Sequence, residues 1–449
     1  VVRLQRVNVV FHRTSSAREL TQELRIRSTG ERRFAWQVGA TVFWSREAST
    51  LAFGAQRGAL AGSELLSSPV LSDLQRVGPP AALNVALVDN PAARQILFND
   101  STEARRTIAL FATADYRLTQ ALRLRAELRA TWERLTLDSR TANFLPSFGT
   151  SLGAQHFHDI TPRFSLDWRL NADLLVFASY AKGTRSGGIN AIPNLRADEQ
   201  TYAPESNWTA EIGAKYVGGG LVRSAQLTAY DIDWRDTQIR AVSATPGFPS
   251  LIFSNTSGIR TRGVEAAAQI VPAGWLALDL AWSYTDPRFK AGSEDPGFAG
   301  SCGLSVVNSV SSFCTIRPST ISPGQLVPDI SGNLVSRVAR TSWSAALTLA
   351  PPLAHFRSMR LHVDVTHQGN EYDQNIDGLY FGARTLLGAR LSIPLGHFVA
   401  ELWGTNLTDA RYVRDAATRQ PGFYATVPRP TDLILADRRR VGLTLRFPG

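Results

Sequence analysis

The run His156-Phe-His158-Asp159 brings two imidazoles and a carboxylate close together, the beginnings of a transition-metal site. Alternate positions of an extended loop put both rings on one side, but zinc needs at least three protein ligands and the sequence nearby supplies no third. Exposed polar loop residues account for the run better. Asp231 and Asp233 also alternate, and two carboxylates spaced this way on a strand fit wall salt bridges better than acid–base catalysis. Cys302 and Cys314 both lie in the Gly/Ser-rich segment Gly292–Ser322. Their spacing is too long for a CxxC redox pair, and there is no second pair with which to hold zinc. A disulfide closing an exposed loop is the reading they support, and it implies an oxidising compartment; two unpaired thiols is the alternative. The sequence holds no phosphate-cradling loop and no HExxH. No enzyme, cofactor or metal centre is expected.

Charge says more than the chemical motifs do. The formal net charge is +10, from 48 Lys and Arg against 38 Asp and Glu, and only Lys182, Lys215 and Lys290 are lysines. The arginines gather in no stripe or tail. They recur at every second position of strand-like segments, which points to a charged wall rather than a nucleic-acid face. Hydrophobic residues make up 44% and charged residues 19%, an average that a barrel of alternating lipid-facing and lumen-facing residues shares with soluble proteins. No apolar stretch approaches the roughly 18 residues of a membrane helix; the best is Ala81–Val88. If the chain crosses a membrane, it crosses with strands.

The elements that must carry these side chains repeat with a period of two. Leu122, Leu124, Ala126, Leu128, Ala130 and Trp132 alternate with Arg123, Arg125, Glu127, Arg129 and Thr131. Met359–Gln368, Phe164–Asn171, Leu387–Ile393, Leu276–Tyr284 and Val441–Phe447 repeat the pattern. Such alternation predicts strands with one face in an apolar medium. Tight connections are expected at Gly30–Arg32, Leu118–Gln120, Asn171–Asp173, Gly218–Gly220, Pro272–Gly274 and Gly396–His397. Long ones are expected at Glu47–Glu103, Asp138–Thr161, Thr184–Glu205, Pro287–Arg337, Glu371–Gly382 and Asp409–Asp437. Short turns on one rim and long loops on the other are the habit of outer-membrane barrels. Trp44, Tyr116, Trp132, Tyr180, Tyr216, Trp234 and Tyr284 fall near strand ends, as interfacial girdles require. Counting gives roughly sixteen strands, an even number as bacterial barrels require, in one all-β transmembrane antiparallel β-barrel over residues 1–449.

Several segments resemble the C-terminal part of TonB-dependent outer-membrane receptors. They are Thr21-Gln-Glu-Leu-Arg-Ile with Phe34-Ala-Trp and Gly39, then Ser179 to Asn190 with Gly183 and Gly187-Gly188. Tyr202-Ala-Pro-Glu with Glu211-Ile-Gly-Ala-Lys215 follows, then Asn255 to Glu265, and finally Trp403-Gly-Thr-Asn-Leu-Thr-Asp-Ala-Arg-Tyr412. Read without the family, the same residues look like register and turn formers: Gly187-Gly188 where a strand leaves the membrane, Asn406 and Asp409 at a strand end. Glu211 and Lys215 are lumen-facing by alternation and are expected to pair with neighbouring arginines.

The resemblance implies a 22-strand barrel plugged by an N-terminal domain, of which this chain holds the later strands. The plug, its TonB-contacting box and about six strands would precede Val1, which begins inside strand-like sequence (Val1–Phe11) with no signal-peptide pattern. The chain ends Phe447-Pro-Gly, where the family usually ends on an aromatic. The resemblance further implies a monomer in the bacterial outer membrane that imports a scarce nutrient, by default a ferric siderophore. Its partners would be outer-membrane lipid, lipopolysaccharide and, through the plug, TonB, with no nucleic acid. Anionic ferric chelates would be concentrated by a basic lumen. Candidate ligand contacts at the outer rim are Arg185, Asn190, Tyr202, Tyr372, Tyr380, Phe423 and Tyr424, since aromatics offer faces and arginine a bidentate fork. The competing readings are a passive sixteen-strand porin and a soluble all-β binding protein.

Overall fold

The computed structural model describes residues 9–30, 32–55, 95–143, 149–243, 251–295, 315–321, 324, 326–352, 359–376, 380–418 and 431–447. Fifteen strands form one sheet in which every neighbour in sequence is a neighbour in space. They are β1 (Val9–Arg27), β2 (Phe34–Ala55), β3 (Gln95–Arg117), β4 (Leu122–Asn143), β5 (Thr150–Arg169), β6 (Leu174–Arg185), β7 (Glu205–Val217) and β8 (Val222–Arg235). Then come β9 (Gly258–Ala273), β10 (Leu276–Phe289), β11 (Thr341–Leu349), β12 (Arg360–Gln368), β13 (Arg384–Leu395), β14 (Phe398–Thr405) and β15 (Arg440–Arg446). All pairings are antiparallel.

Opposed residues of an antiparallel pair share a face, so the register sorts the side chains. One face carries Tyr116, Leu124 and Leu166, then Leu110 and Ala130, then Ile108 and Trp132. It stays open to the surroundings: Leu20 is 65% exposed and Leu443 67%. The opposite face carries Asp115, Arg125, Glu127, Arg129 and Glu133, with Arg125 2.9 Å from Asp115 and Arg105 2.6 Å from Glu133. On β15 Arg446 likewise turns from the apolar face to meet Glu401 at 3.0 Å. The outward apolar run of β3, Ile108 to Tyr116, spans about 27 Å along the strand. Tilted by about 40°, that gives about 21 Å of height, close to the roughly 25 Å band of outer-membrane strands. Among the described residues no helix is long and apolar enough to cross a membrane.

The tight turns form where expected, and their chemistry is local. Gly30 and Gly396 take φ of 81° and 61°, which a side chain would resist. Asn171 Oδ1 accepts the N–H groups of Asp173 and Leu174, both at 2.9 Å. All these turns lie on one rim; the long connections lie on the other, and they include 236–257, which no expectation covered. Two expected loops begin and end in strand. β2 and β3 run on to Ala55 and from Gln95, and β4 and β5 run to Asn143 and from Thr150. Beyond the apolar belt the pattern inverts: Arg134, Asp138 and Arg140 face out while Leu135 and Leu137 are buried on the inner side. A tower of strand thus rises above the belt.

The sheet has fifteen strands among the described residues rather than sixteen. Its edge strands β1 and β15 both run from the long-loop rim to the short-turn rim, and they do not pair with each other. Antiparallel closure therefore takes an odd number of further strands.

On the inner face, aromatic rings lie flat over directly opposed glycines: Phe111 on Gly39, Phe177 on Gly213, Tyr230 on Gly263 and Trp403 on Gly442. Three of these glycines belong to the motifs singled out above, and the close approach of the ring is what requires them. Trp44, Tyr116, Trp132, Tyr180, Tyr216 and Tyr284 share the outward face. Trp234 does not. Its parity turns it inward against Ile259, so it packs a core rather than a girdle.

Candidate functional site

The inner face is covered on the long-loop rim by a cap. Ile259 and Phe289, from the tops of β9 and β10, bury themselves with Ile330 and Ile376 from two different loops, joined by Trp234, Ile316 and Val335. A second small core unites Leu195, Ala241 and Ile252 with Ile192 and Ile321. Buried polar groups knit the same loops. Glu294 is fully buried. Its carboxylate accepts hydrogen bonds from Ser319 Oγ (2.6 Å), Ile321 N (2.9 Å) and Thr320 N (3.1 Å), with Arg317 3.2 Å away. Asn375 donates to Asp295 and accepts from Asn333 and Ser336. Each loop alone is too short for a core; together they make one.

Arg337 joins the parts. Its guanidinium contacts Asp373 and lies 2.7 Å from Asp415, and it sits 4.7 Å over the Phe381 ring. Burial pushes the Asp373 carboxyl above its ordinary value; Arg337 opposes that shift and Asp415 adds to it. Arg384 similarly joins Glu371 and Gln368 under the Tyr412 ring. Below these two arginines the inner wall is hollowed into a cavity of about 640 Å³, lined by Glu265, Ser283, Ser342, Ser344 and Thr366. Ser283 and Ser342 bond each other at 2.7 Å. A hydroxyl-lined shelf beneath two guanidiniums suits an anionic, oxygen-rich solute. Neither Arg337 nor Arg384 was singled out from the sequence, nor were these serines. The available signal was small hydroxyl residues alternating with Trp282 and Trp343.

The expected rim residues fall into two groups. Arg185 is exposed and reaches Glu205 at 3.5 Å. Tyr202 packs on Gly188 and lies 5.5 Å from the Phe253 ring; burial pushes its hydroxyl up, which Arg185 opposes. Asn190 is 4% exposed. Its amide donates to Glu199 O (2.8 Å) and Phe253 O (2.9 Å) and accepts from Phe253 N (2.8 Å), so it staples two loops. Tyr372 and Tyr380 meet edge to face at 6.4 Å on the hairpin of Glu371–Tyr372 with Tyr380–Phe381. Phe423, Tyr424, Cys302 and Cys314 lie outside the described residues.

The remaining motif residues are structural. Asn406 and Asp409 take φ of 48° and 54°. Asn406 brackets Ala410, and Asp409 holds Arg438 and accepts from Arg439 N at 3.0 Å. Arg438 and that N–H keep the Asp409 carboxyl far below the usual carboxylate range. Glu211 accepts from Ser179 and Lys215 lies over Phe177, in place of the expected arginine pairings. His156 and His158 stand on β5 with both rings outward, while Asp159 faces in, so no three-ligand group forms. Among the described residues there is no group of three metal-ligating side chains.

Comparison with known proteins gives the wall a lineage. A family model described as TonB dependent receptor-like, beta-barrel matches residues 8–407. The solved ferric yersiniabactin uptake receptor FyuA from Yersinia pestis superposes with a TM-score of 0.70 at 16% identity, over 98% of this chain and 55% of that one. The ferric citrate transporter FecA in its unliganded form gives 0.64 at 10% identity, over 98% and 55%. The siderophore receptor PiuA from Acinetobacter baumannii gives 0.63 at 12%, over 98% and 57%. At such identities the likeness is one of fold. The chain spans about half the length of each of these structures.

Proposed function

The chain belongs to the TonB-dependent receptor β-barrel family, and from that premise we propose that it is the larger part of an outer-membrane transporter for an anionic nutrient chelate, a ferric siderophore in the first instance. The family is one of transporters, not enzymes. The observation that carries the proposal is the division of one continuous sheet into an outward apolar face and an inward charged face beneath a packed loop cap. A wall of this kind separates lipid from a water-filled passage.

In this reading the solute first meets Arg185, Tyr202, Tyr372 and Tyr380 at the rim. It then passes to the shelf under Arg337 and Arg384, where serine and threonine hydroxyls take over contacts with its oxygens. Ferric citrate, named for one of the similar structures, carries carboxylates that guanidiniums at such a surface could grip. Further strands and a plug in the whole protein would complete the passage, and TonB would act through that plug. A passive pore closed by these strands alone is not favoured, because β1 and β15 run the same way and an open edge in hydrocarbon leaves backbone groups unpaired.

The test is growth under iron starvation of a bacterium stripped of its own ferric receptors and supplied with the complete gene. Growth on one or more anionic ferric chelates, abolished by loss of TonB, is expected. Steady ion conductance of the complete protein in planar bilayers, with no chelate-dependent growth, would overturn the reading.

A further inference from the structure

The inner wall is not uniform around the sheet. On β3 and β4 long charged side chains tie it together: Asp115 holds Arg123 and lies 2.9 Å from Arg125, and Arg105 lies 2.6 Å from Glu133. On β8–β12 the same face is built mostly from small and hydroxyl-bearing residues. One register row reads Glu265, Ser283, Ser342, Gln368, and the row below it Gln226, Ala267, Ala281, Ser344, Thr366. The wall is hollow there. The cavity under Arg337 and Arg384 reaches down to Gln226 and Ala267. A second cavity, of about 350 Å³, begins at those same two residues and continues to Gln269, Asp279, Ser224 and Lys215. β7 and β9 descend toward the short-turn rim, and Lys215 and Gln269 stand close to their lower ends. The two hollows thus form one trough down the inner wall, from beneath the cap almost to the turns.

The lining changes on the way down. At the top stand two guanidiniums, and charge-assisted contacts of that kind are the strong ones. Below them come hydroxyls, the Gln226 amide and the methyl groups of Ala267 and Ala281, which hold an oxygen-rich anion only weakly. Gln269 Nε2 donates to Asp279 Oδ1 at 2.9 Å and ties that carboxylate to the wall. Lys215 supplies a cation again near the bottom, its ammonium 5.0 Å from the centre of the Phe177 ring. A passage needs this order: contacts firm enough to admit a solute, then several weak ones that let it go. Against an inserted plug, small side chains leave a gap where the long paired chains of β3 and β4 would meet it. We propose that β7–β12 form the lane along which the solute crosses the barrel, with Gln226, Ala267 and Ala281 at its middle and Lys215 as its lower halting point. The inference rests on the transport reading above and adds where in the ring the solute passes.

The test uses cells that carry the complete protein as their sole ferric receptor. Radioactive iron is offered in turn as its citrate, a catecholate and a hydroxamate chelate, and whichever the unaltered protein takes up serves as the probe. Uptake is measured with TonB present, and binding at the cell surface with TonB absent. Ala267→Leu with Ala281→Leu, which fills the trough, is expected to cut uptake about tenfold or more while surface binding keeps its strength. Ala35→Leu with Thr113→Leu adds the same kind of bulk to the inner face of β2 and β3 and is expected to leave uptake as it was. Lys215→Gln, which adds no bulk, should slow uptake about threefold with binding unchanged. Uptake at the unaltered rate in the alanine variant would overturn the lane, and so would an equal loss from the β2–β3 pair. If the alanine variant fails to assemble, an unaltered rate in Lys215→Gln overturns it. Uptake of no chelate by the unaltered protein would instead sink the transport reading, and the lane with it.

Discussion

The wall and the cap are stabilised by opposite means. In the wall, Leu110 and Leu128 sit open on the outer face. Its order comes from inter-strand hydrogen bonds and a surrounding apolar medium. The cap is built like a small soluble domain, with Ile330 wholly buried and Glu294 fully bonded at its centre. One chain thus folds against two solvents. A polar side chain that is fatal in one region can be essential in the other.

The contrast can be broken most sharply at Glu294. Glu294→Ala removes the buried carboxylate that pairs with Arg317 and accepts from Ser319 Oγ, Thr320 N and Ile321 N, and is expected to destabilise the cap by about 3–5 kcal/mol, the cost of breaking a buried ion pair. Limited proteolysis should cut the 290–340 connection while heat-modifiable migration of the barrel is unchanged. Leu110→Arg, in mid-belt, should do the reverse, costing the wall about 2–4 kcal/mol, with the urea midpoint in lipid vesicles as the readout. Gly213→Ala drives a Cβ into the Phe177 ring and the Leu227 carbonyl, an overpacking cost of about 1–3 kcal/mol that the same urea experiment detects. Ile330→Val should cost the cap about 0.5–1.5 kcal/mol, visible as faster hydrogen exchange of residues 326–333.

The smallest effect is one of pH, and its sign differs between two carboxylates. Asp409 is held low by Arg438, so its contribution is present above the ordinary carboxylate pKa and is lost as pH falls toward its depressed value. Asp373 is pushed up by burial, so its contribution to folded stability is fully present below the ordinary value and is lost as pH rises through the raised one. Exchange protection of 406–412 should therefore fall on acidification while that of 371–376 rises, and Asp373→Asn should flatten the second trend alone.

The wall was legible in the sequence because its signal is local: lipid enforces a period of two, and Leu122–Trp132 displays it without help from distant residues. Legibility failed where the medium changes. At Arg134 the strand leaves the belt, the outward residues turn polar and the inward Leu135 and Leu137 turn apolar, so a phase reversal within β4 passes for the end of a strand. The cap was illegible for a different reason. Glu294 meets Ser319 across 25 positions and Asn375 meets Asp295 across 80, and nothing in the local composition announces such partners. Asn190 was noticed for its place in a motif, but whether its amide is free or spent depends on Phe253, 63 positions away.

The rings seated on directly opposed glycines also govern how the strands line up. A slip of one residue in either strand would turn the ring to the other face of the sheet and leave the glycine facing a gap. Each such pair therefore works as a pin that admits one alignment of its two strands and penalises the next.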